Sequence, residues 1–239
     1  MALQYITINN KTSLDYGLYV KDKDTFKSPR RDVEYISVPG RNGDLILDNG
    51  RYENVEITYD LAFVNDPTDD FDDAVKDIKE WLYAPQGYFK LSDSYDSSYY
   101  RWASLSSNVD LKQQLNDFGD LSITFNCKPF KYSFIGDGKL TLTTSGAVLN
   151  PEVYSSKPYM KITGSGACLV VINNVPCAFS SVDEYVEIDS EMMTVYKGST
   201  LKNNTFVSNS FPVLKAGVNT VTLSNTITKL EIIPRWCCL

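Results

Sequence analysis

The chain has 239 residues, 43% of them hydrophobic and 22% charged; this globular mix excludes a disordered chain, and at about 150 residues per domain it allows one large domain or two small ones. It contains no histidine, which removes the commonest general base, the usual partner of Ser and Cys nucleophiles, and the imidazole ligands of most catalytic zinc and non-haem iron sites. The net charge of −7 gives no general affinity for nucleic acid or anionic lipid.

In chain order, Leu3–Ile8 alternates as a short strand, and residues 11–31 are polar and basic, with Ser28-Pro29-Arg30-Arg31 read as loop. Val33–Val38 alternates and stops at Pro39-Gly40. The run Arg41-Asn42-Gly43-Asp44 predicts a turn with Asn-Gly at positive φ, followed by Leu45-Ile46-Leu47 and a second turn at Asp48-Asn49-Gly50. From Tyr52 to Val64, Val55, Ile57, Tyr59, Leu61 and Phe63 share one face against Asn54, Glu56, Thr58, Asp60 and Ala62, so this is a half-buried antiparallel strand. A helix follows. Thr68 can cap it, Asp69, Asp70, Asp72 and Asp73 suit its positive N-terminus, Phe71, Val75, Ile78 and Leu82 form its apolar stripe, and Pro85 and Gly87 end it. The acidic run lacks a calcium-loop pattern, so capping and solvation explain it. Further strands are expected at Tyr88–Leu91, Tyr99–Leu105 and Leu121–Cys127, with turn Ser92–Ser98 and a polar loop at 112–119.

Charge then changes: residues 1–130 carry a net −8 and residues 131–239 a net +1, from 14 against 22 and 9 against 8 charged residues. Together with the turn-rich stretches Gly136-Asp137-Gly138 and Thr143–Pro158, this places a boundary near residues 130–145 and divides the chain into domains 1–135 and 140–239. The second half predicts short strands only, at Tyr159–Thr163, Cys168–Ile172, Tyr185–Ile188, Thr194–Tyr196, Asn219–Leu223 and Thr228–Ile233, as in a β-sandwich or jelly roll. No basic and apolar leader follows Met1, and no run is long enough for a membrane helix, so a soluble protein made in the cytosol is expected.

The five cysteines, Cys127, Cys168, Cys177, Cys237 and Cys238, include no CxxC and read as free thiols within strands. No phosphate loop, nucleophile elbow or metal motif is present; Gly164-Ser165-Gly166 reads as a hairpin turn. Glycoside hydrolysis needs only carboxylates, and Asp183, Glu184, Glu187 and Asp189 are present, but Glu187 and Asp189 on one alternating strand read as its solvated face. The run Tyr95-Asp96-Ser97-Ser98-Tyr99-Tyr100-Arg101-Trp102 mixes groups that stack on sugars with groups that bond to them, and equally suits a hairpin with cross-strand aromatic packing. No catalytic, metal or cofactor residue is assigned, and no enzymatic activity is expected.

Several stretches together resemble the distal tail proteins of siphophages. They are Ser37–Asp44 with Gly50–Val55, Ile78–Leu82, Gly87–Asp93, Phe118–Leu121, Phe125–Phe130, Lys157–Gly166, Ile188–Glu191, Phe211–Asn219 and Ile233–Trp236. The resemblance implies a mainly β protein: an N-terminal β-sandwich with one α-helix and a β-hairpin belt, and a C-terminal galectin-like jelly roll. It implies a structural hub at the tail tip in the virion, assembled in the host cytoplasm. There a homo-hexameric ring joins the major tail tube protein to the tail-associated hub or fibre protein and passes DNA through its lumen without specific binding. The tape measure protein is a further candidate contact, and no membrane is involved. Residues 11–31 and the 88–105 hairpin are candidates for the arm that reaches the next subunit. A glycan-binding adhesin is the alternative, weakened because a galectin-type sugar site relies on a His that this chain lacks.

Overall fold

The computed structural model describes residues 3–66, 70–115 and 118–239, and divides the chain into two compact units, residues 1–131 with Leu239, and residues 132–238. In the first unit the strands are β1 (Ile6–Ile8), β2 (Lys11–Thr12), β3 (Leu18–Lys23), β4 (Arg31–Ile36), β5 (Leu45–Tyr52) and β6 (Val55–Val64). Helix α1 (Phe71–Tyr83) follows, then β7 (Phe89–Asp93), β8 (Tyr99–Leu105), β9 (Lys112–Leu115) and β10 (Phe118–Ser133). The main sheet runs β2-β1-β7-β8-β10-β6-β3, with β9 beside β10, while β4 and β5 pair only with each other.

Strand β6 follows the alternation of its sequence. Val55, Ile57, Tyr59, Leu61 and Phe63 are buried, and the register Leu61↔Leu121, Tyr59↔Ile123, Ile57↔Phe125 sets them beside the inward residues of β10. The apolar face of α1 closes this core with Ile78, Trp81 and Leu82, each more than nine-tenths buried, and each contributes roughly 1.5–3 kcal/mol of apolar burial. Its cap is Asp70, whose carboxylate accepts the Asp72 and Asp73 amides at 2.9 and 3.3 Å; Thr68, expected in this role, lies outside the described residues, as does Asp69.

Two strands lie where the sequence showed no alternation, one in the segment read as polar and basic and one in an expected loop. Within residues 11–31, β3 pairs with β6 at the edge of the sheet: Leu18 and Val20 are buried, while Lys21 and Asp22 stay exposed, so only two residues carry the apolar signal. Within 112–119, β9 pairs with β10 through Lys112↔Asp120 and Gln113↔Gly119, an edge pairing held by main-chain bonds that needs no apolar alternation. The turn after β4 has Gly40 at φ 81° and Gly43 at φ 82°, but Asn42 is not at positive φ, and Asp48-Asn49-Gly50 is an irregularity inside β5 rather than a second turn.

The second unit contains β11 (Leu140–Leu142), β12 (Gly146–Asn150), β13 (Tyr159–Gly164), β14 (Gly166–Ile172), β15 (Val175–Val182) and β16 (Tyr185–Asp189). Then come β17 (Thr194–Lys197), β18 (Thr200–Leu201), β19 (Gly217–Leu223), β20 (Ile227–Ile233) and β21 (Cys237–Cys238). A sheet ordered β11-β20-β13-β16-β17-β18 and another ordered β12-β19-β14-β15 enclose a core of Met160, Ile162, Val170, Phe179, Ile188 and Leu230 among others. Gly164-Ser165-Gly166 is not a hairpin turn, because β13 and β14 belong to different sheets; the chain changes sheet there. Its tight passage leaves no space for a side chain at Gly164, where a Cβ would lie 2.5 Å from the Thr226 carbonyl oxygen. Strand β15, not anticipated from the sequence, contains Pro176 and is an edge strand, where a missing N–H is tolerated.

Candidate assembly surfaces

The β4–β5 ribbon is the element whose own sequence leaves most unsatisfied. Its register sets Tyr35 opposite Ile46, Ile36 opposite Leu45 and Glu34 opposite Leu47. Alternation therefore sends Tyr35 and Ile46 to one face and Ile36, Leu45 and Leu47 to the other, so both faces are apolar. None of these side chains is covered: Tyr35 is 61% exposed, Ile46 59% and Leu47 48%. An isolated two-stranded hairpin is marginal in water, and contiguous exposed apolar surface marks an interaction site.

The ribbon is nevertheless held in shape. At its base Tyr52 packs edge-to-face on Phe130 with ring centroids 5.6 Å apart, and the Glu53 amide donates to the Arg30 carbonyl at 2.8 Å. Further out, Arg31 pairs with Asp48 at 2.8 Å, and Asp32 accepts from Arg51 Nε at 2.5 Å and from Asn49 Nδ2 at 3.1 Å. The Arg51 and Asn49 bonds hold the Asp32 carboxyl below its usual range, and the Gly50 amide, followed by Arg31, does the same for Asp48. These bonds order the exposed ribbon, and a segment ordered in advance carries a lower entropy cost of docking.

The two segments expected to supply the arm are committed elsewhere. Strand β3, within 11–31, and the β7–β8 pair, within 88–105, both belong to the main sheet. In the aromatic run, Tyr100 and Trp102 pack edge-to-face at 5.8 Å. Lysine ammonium groups cover one face each of Tyr95 (Lys23, 3.9 Å), Tyr99 (Lys131, 5.2 Å) and Tyr100 (Lys90, 4.3 Å). The adjoining cleft of about 400 Å³ is floored by Asp93, whose oxygens accept the Tyr59 hydroxyl and the Tyr95 and Asp96 amides. This run is thus cross-packed and charge-capped rather than an open stacking platform.

The carboxylates singled out as candidates form no acid–base pair. Asp189 is not on a solvated face: it is buried, and it grips Arg235 through two bonds of 2.8 and 2.7 Å. Burial raises its pKa, but Arg235 and the Met192 and Glu191 amides outweigh that and hold it below the usual carboxylate range. Glu187 accepts the Tyr159 hydroxyl at 2.6 Å and the Gly198 amide at 2.9 Å, and Asp183 and Glu184 both pair with Lys197 at 3.1 Å. None of the five cysteines is in a disulfide among the described residues; burial pushes the Cys127, Cys177 and Cys237 thiols up to about 12, which makes them poor nucleophiles. Among the described residues no group of His, Cys, Asp and Glu is placed to hold a metal ion, and no helix is long and apolar enough to cross a membrane.

Comparison with known proteins follows this architecture. Residues 11–127 match the family described as phage tail protein RIFT-related domain. Comparison with curated proteins returns no match. Among solved structures, the chain is similar to the Dit protein (gp 19.1) of SPP1, described as a paradigm of the hub adsorption apparatus in phages that infect Gram-positive hosts. The TM-score is 0.75 at 13% identity, over 97% of this chain and 98% of that one. A chain of the phage P2 baseplate, in its activated conformation with Ca, aligns with TM-score 0.55 at 12% identity over 97% of each chain. The form with Sr gives 0.51 at 12% identity over 96% and 98%. At these identities the likeness is one of fold, and it spans both units. Residues 11–127 thus match a phage tail protein RIFT-related domain, and the chain as a whole shares the fold of the SPP1 Dit protein.

Proposed function

We propose that six copies of this chain close into a ring at the distal tip of a siphophage tail, with the first unit building the ring. The observation that carries the reading is the self-paired β4–β5 ribbon, ordered by ion pairs and apolar on both faces, which needs a protein surface from outside its own chain. A ribbon of one copy meeting a different surface of the next is a heterologous contact, the kind that closes cyclic rings. The ring joins the major tail tube protein on one side to the tail-associated hub or fibre protein on the other, with the tape measure protein as a further contact. DNA passes through the lumen unbound, as suits a first unit with an excess of acidic residues. Assembly takes place in the host cytoplasm and the finished ring resides in the virion. The second unit is a galectin-like sandwich in an architectural role. Light scattering of the purified protein tests the reading: six copies of 26.9 kDa weigh about 161 kDa, whereas a strict two-fold dimer would refute the ring.

A further inference from the structure

One reactive dipeptide occurs twice in a single ribbon. Asn-Gly is found in this chain at Asn42-Gly43, in the turn between β4 and β5, and at Asn49-Gly50, inside β5, and nowhere else. Asparagine before glycine is the pairing most open to attack by the main chain on the carboxamide, because a glycine amide has no side chain beside it to shield it. The fold treats the two copies in opposite ways.

At the tip both reacting groups are free. Asn42 and Gly43 are exposed, and a Cβ at Gly43 would meet no atom within 4 Å. Among the described residues neither the Asn42 carboxamide nor the Gly43 amide has a hydrogen-bond partner; the main-chain bond of this turn, from the Arg41 amide to the Val38 carbonyl at 3.1 Å, stops short of them. Inside β5 both groups are held. The Gly50 amide donates to Asp48 Oδ1 at 2.8 Å, and Asn49 Nδ2 donates to Asp32 Oδ1 at 3.1 Å. Each of these carboxylates is fixed in turn, Asp48 by Arg31 at 2.8 Å and Asp32 by Arg51 at 2.5 Å. The nitrogen that would attack is thus tied within β5 and the carboxamide that would be attacked is tied to β4, so reaction at Asn49 requires the ribbon to open locally.

We infer that Asn42 is a site of spontaneous deamidation and that Asp48 and Asp32 protect Asn49 from the same reaction. The Gly43 nitrogen attacks Asn42 Cγ and gives up its proton as the new C–N bond forms. The C–N bond of the carboxamide breaks, and its nitrogen takes up a proton and leaves as ammonia, which closes a cyclic succinimide. Water then adds to either ring carbonyl and opens it to aspartate or isoaspartate. Nothing is oxidised or reduced, and water is the co-reactant. The product adds a negative charge to the ribbon tip, and isoaspartate also adds a methylene to the main chain of the turn that sets Ile36 opposite Leu45. A chain that waits unassembled therefore acquires an altered ribbon; this consequence, unlike the site itself, rests on the ring reading.

Ageing of the full chain in mildly alkaline buffer, followed by peptide mass mapping, tests the site. Asn42 should convert at least about tenfold faster than Asn49 in the folded chain, and the two should convert at similar rates in urea, where the dipeptides remain and the ribbon does not. Replacing both carboxylates, Asp32→Ala with Asp48→Ala, should bring Asn49 close to the rate of Asn42, while Asn42→Gln should abolish conversion at the tip. Equal rates in the folded chain, no conversion at Asn42, a preference that persists in urea, or an Asn49 indifferent to loss of both carboxylates would overturn the inference. Light scattering judges the consequence: aged wild-type chains should lose rings that Asn42→Gln chains, aged alike, retain. Rings formed equally well from chains converted at Asn42 would overturn the effect on assembly. Fresh chains that form no rings would reject the ring and leave the deamidation site in place.

Discussion

Replacing Ile46 by Asp separates folding from assembly. Ile46 belongs to the ribbon and not to the core, and 59% of its side chain faces water in the single chain. Fully burying an isoleucine is worth about 1.5–3 kcal/mol, so covering the remaining surface adds about 1–2 kcal/mol per contact, or about 6–12 kcal/mol over six contacts. The aspartate forfeits this and adds the cost of burying a charge opposite Tyr35, so each contact loses more. The isolated chain loses little, because exposed substitutions away from special features stay within about 0.5 kcal/mol. We expect Ile46→Asp to melt within a few degrees of the wild type by circular dichroism, yet to remain monomeric in light scattering at concentrations where the wild type assembles. A variant that assembles at wild-type concentrations would refute the role of the ribbon. A variant that melts far lower would show that Ile46 supports its own chain.

Four further outcomes follow from the geometry. Asp189→Asn leaves Arg235 without its partner and should cost about 2 kcal/mol in urea unfolding at neutral pH; because the native Asp189 pKa is depressed, this stabilisation is present above the unfolded carboxylate range and disappears as pH falls through the native value, so a gap independent of pH down to strong acid would refute it. Gly136→Ala would put a Cβ 2.4 Å from the Trp236 amide nitrogen and should cost about 1–3 kcal/mol; an unchanged melting temperature would contradict the close approach. With a thiol reagent at pH 8, the half-exposed Cys238 should react first while the buried Cys127, Cys177 and Cys237 wait for unfolding, and rapid labelling of any of those three would show an open core. Purified rings should show no measurable affinity for duplex DNA at physiological salt, whereas tight, salt-sensitive binding would reject the unbound passage of DNA.

Where burial and local chemistry agree, the fold is legible in the sequence. The alternation of β6, the apolar stripe of α1 and most strands of the second unit follow from residue type and spacing. Edge strands are harder: β3 buries only Leu18 and Val20, β9 is placed by its main-chain pairing with β10, and β15 includes a proline that argues against a strand. Turn chemistry held signals that alternation alone does not use. Asn9-Asn10 and Asn173-Asn174 both take left-handed φ values, 46° and 70°, then 48° and 66°, and close two-residue hairpins between β1 and β2 and between β14 and β15. Trp81 lies next to the stripe on α1 and falls outside a strict spacing count, yet it closes the core.

The assembly surface was harder to read for a different reason. Val33–Val38 and Leu45–Leu47 have the residue types of core strands, and hydrophobicity alone assigns them to the interior of their own chain. What separates them from β6 is the opposite face. In β6 the residues between the buried ones include Glu56, Thr58 and Asp60, so one face is made for water. Near the ribbon tip Tyr35 and Ile36, and Leu45, Ile46 and Leu47, are consecutive, so neither face is. A strand apolar on both faces belongs between two layers. Among the described residues the main sheet gives β4 and β5 no neighbour, and in the proposed ring the covering layers come from other chains. Consecutive apolar residues on both arms of a Gly-turned hairpin, braced by charged residues near its base, thus signal a strand pair built for a partner.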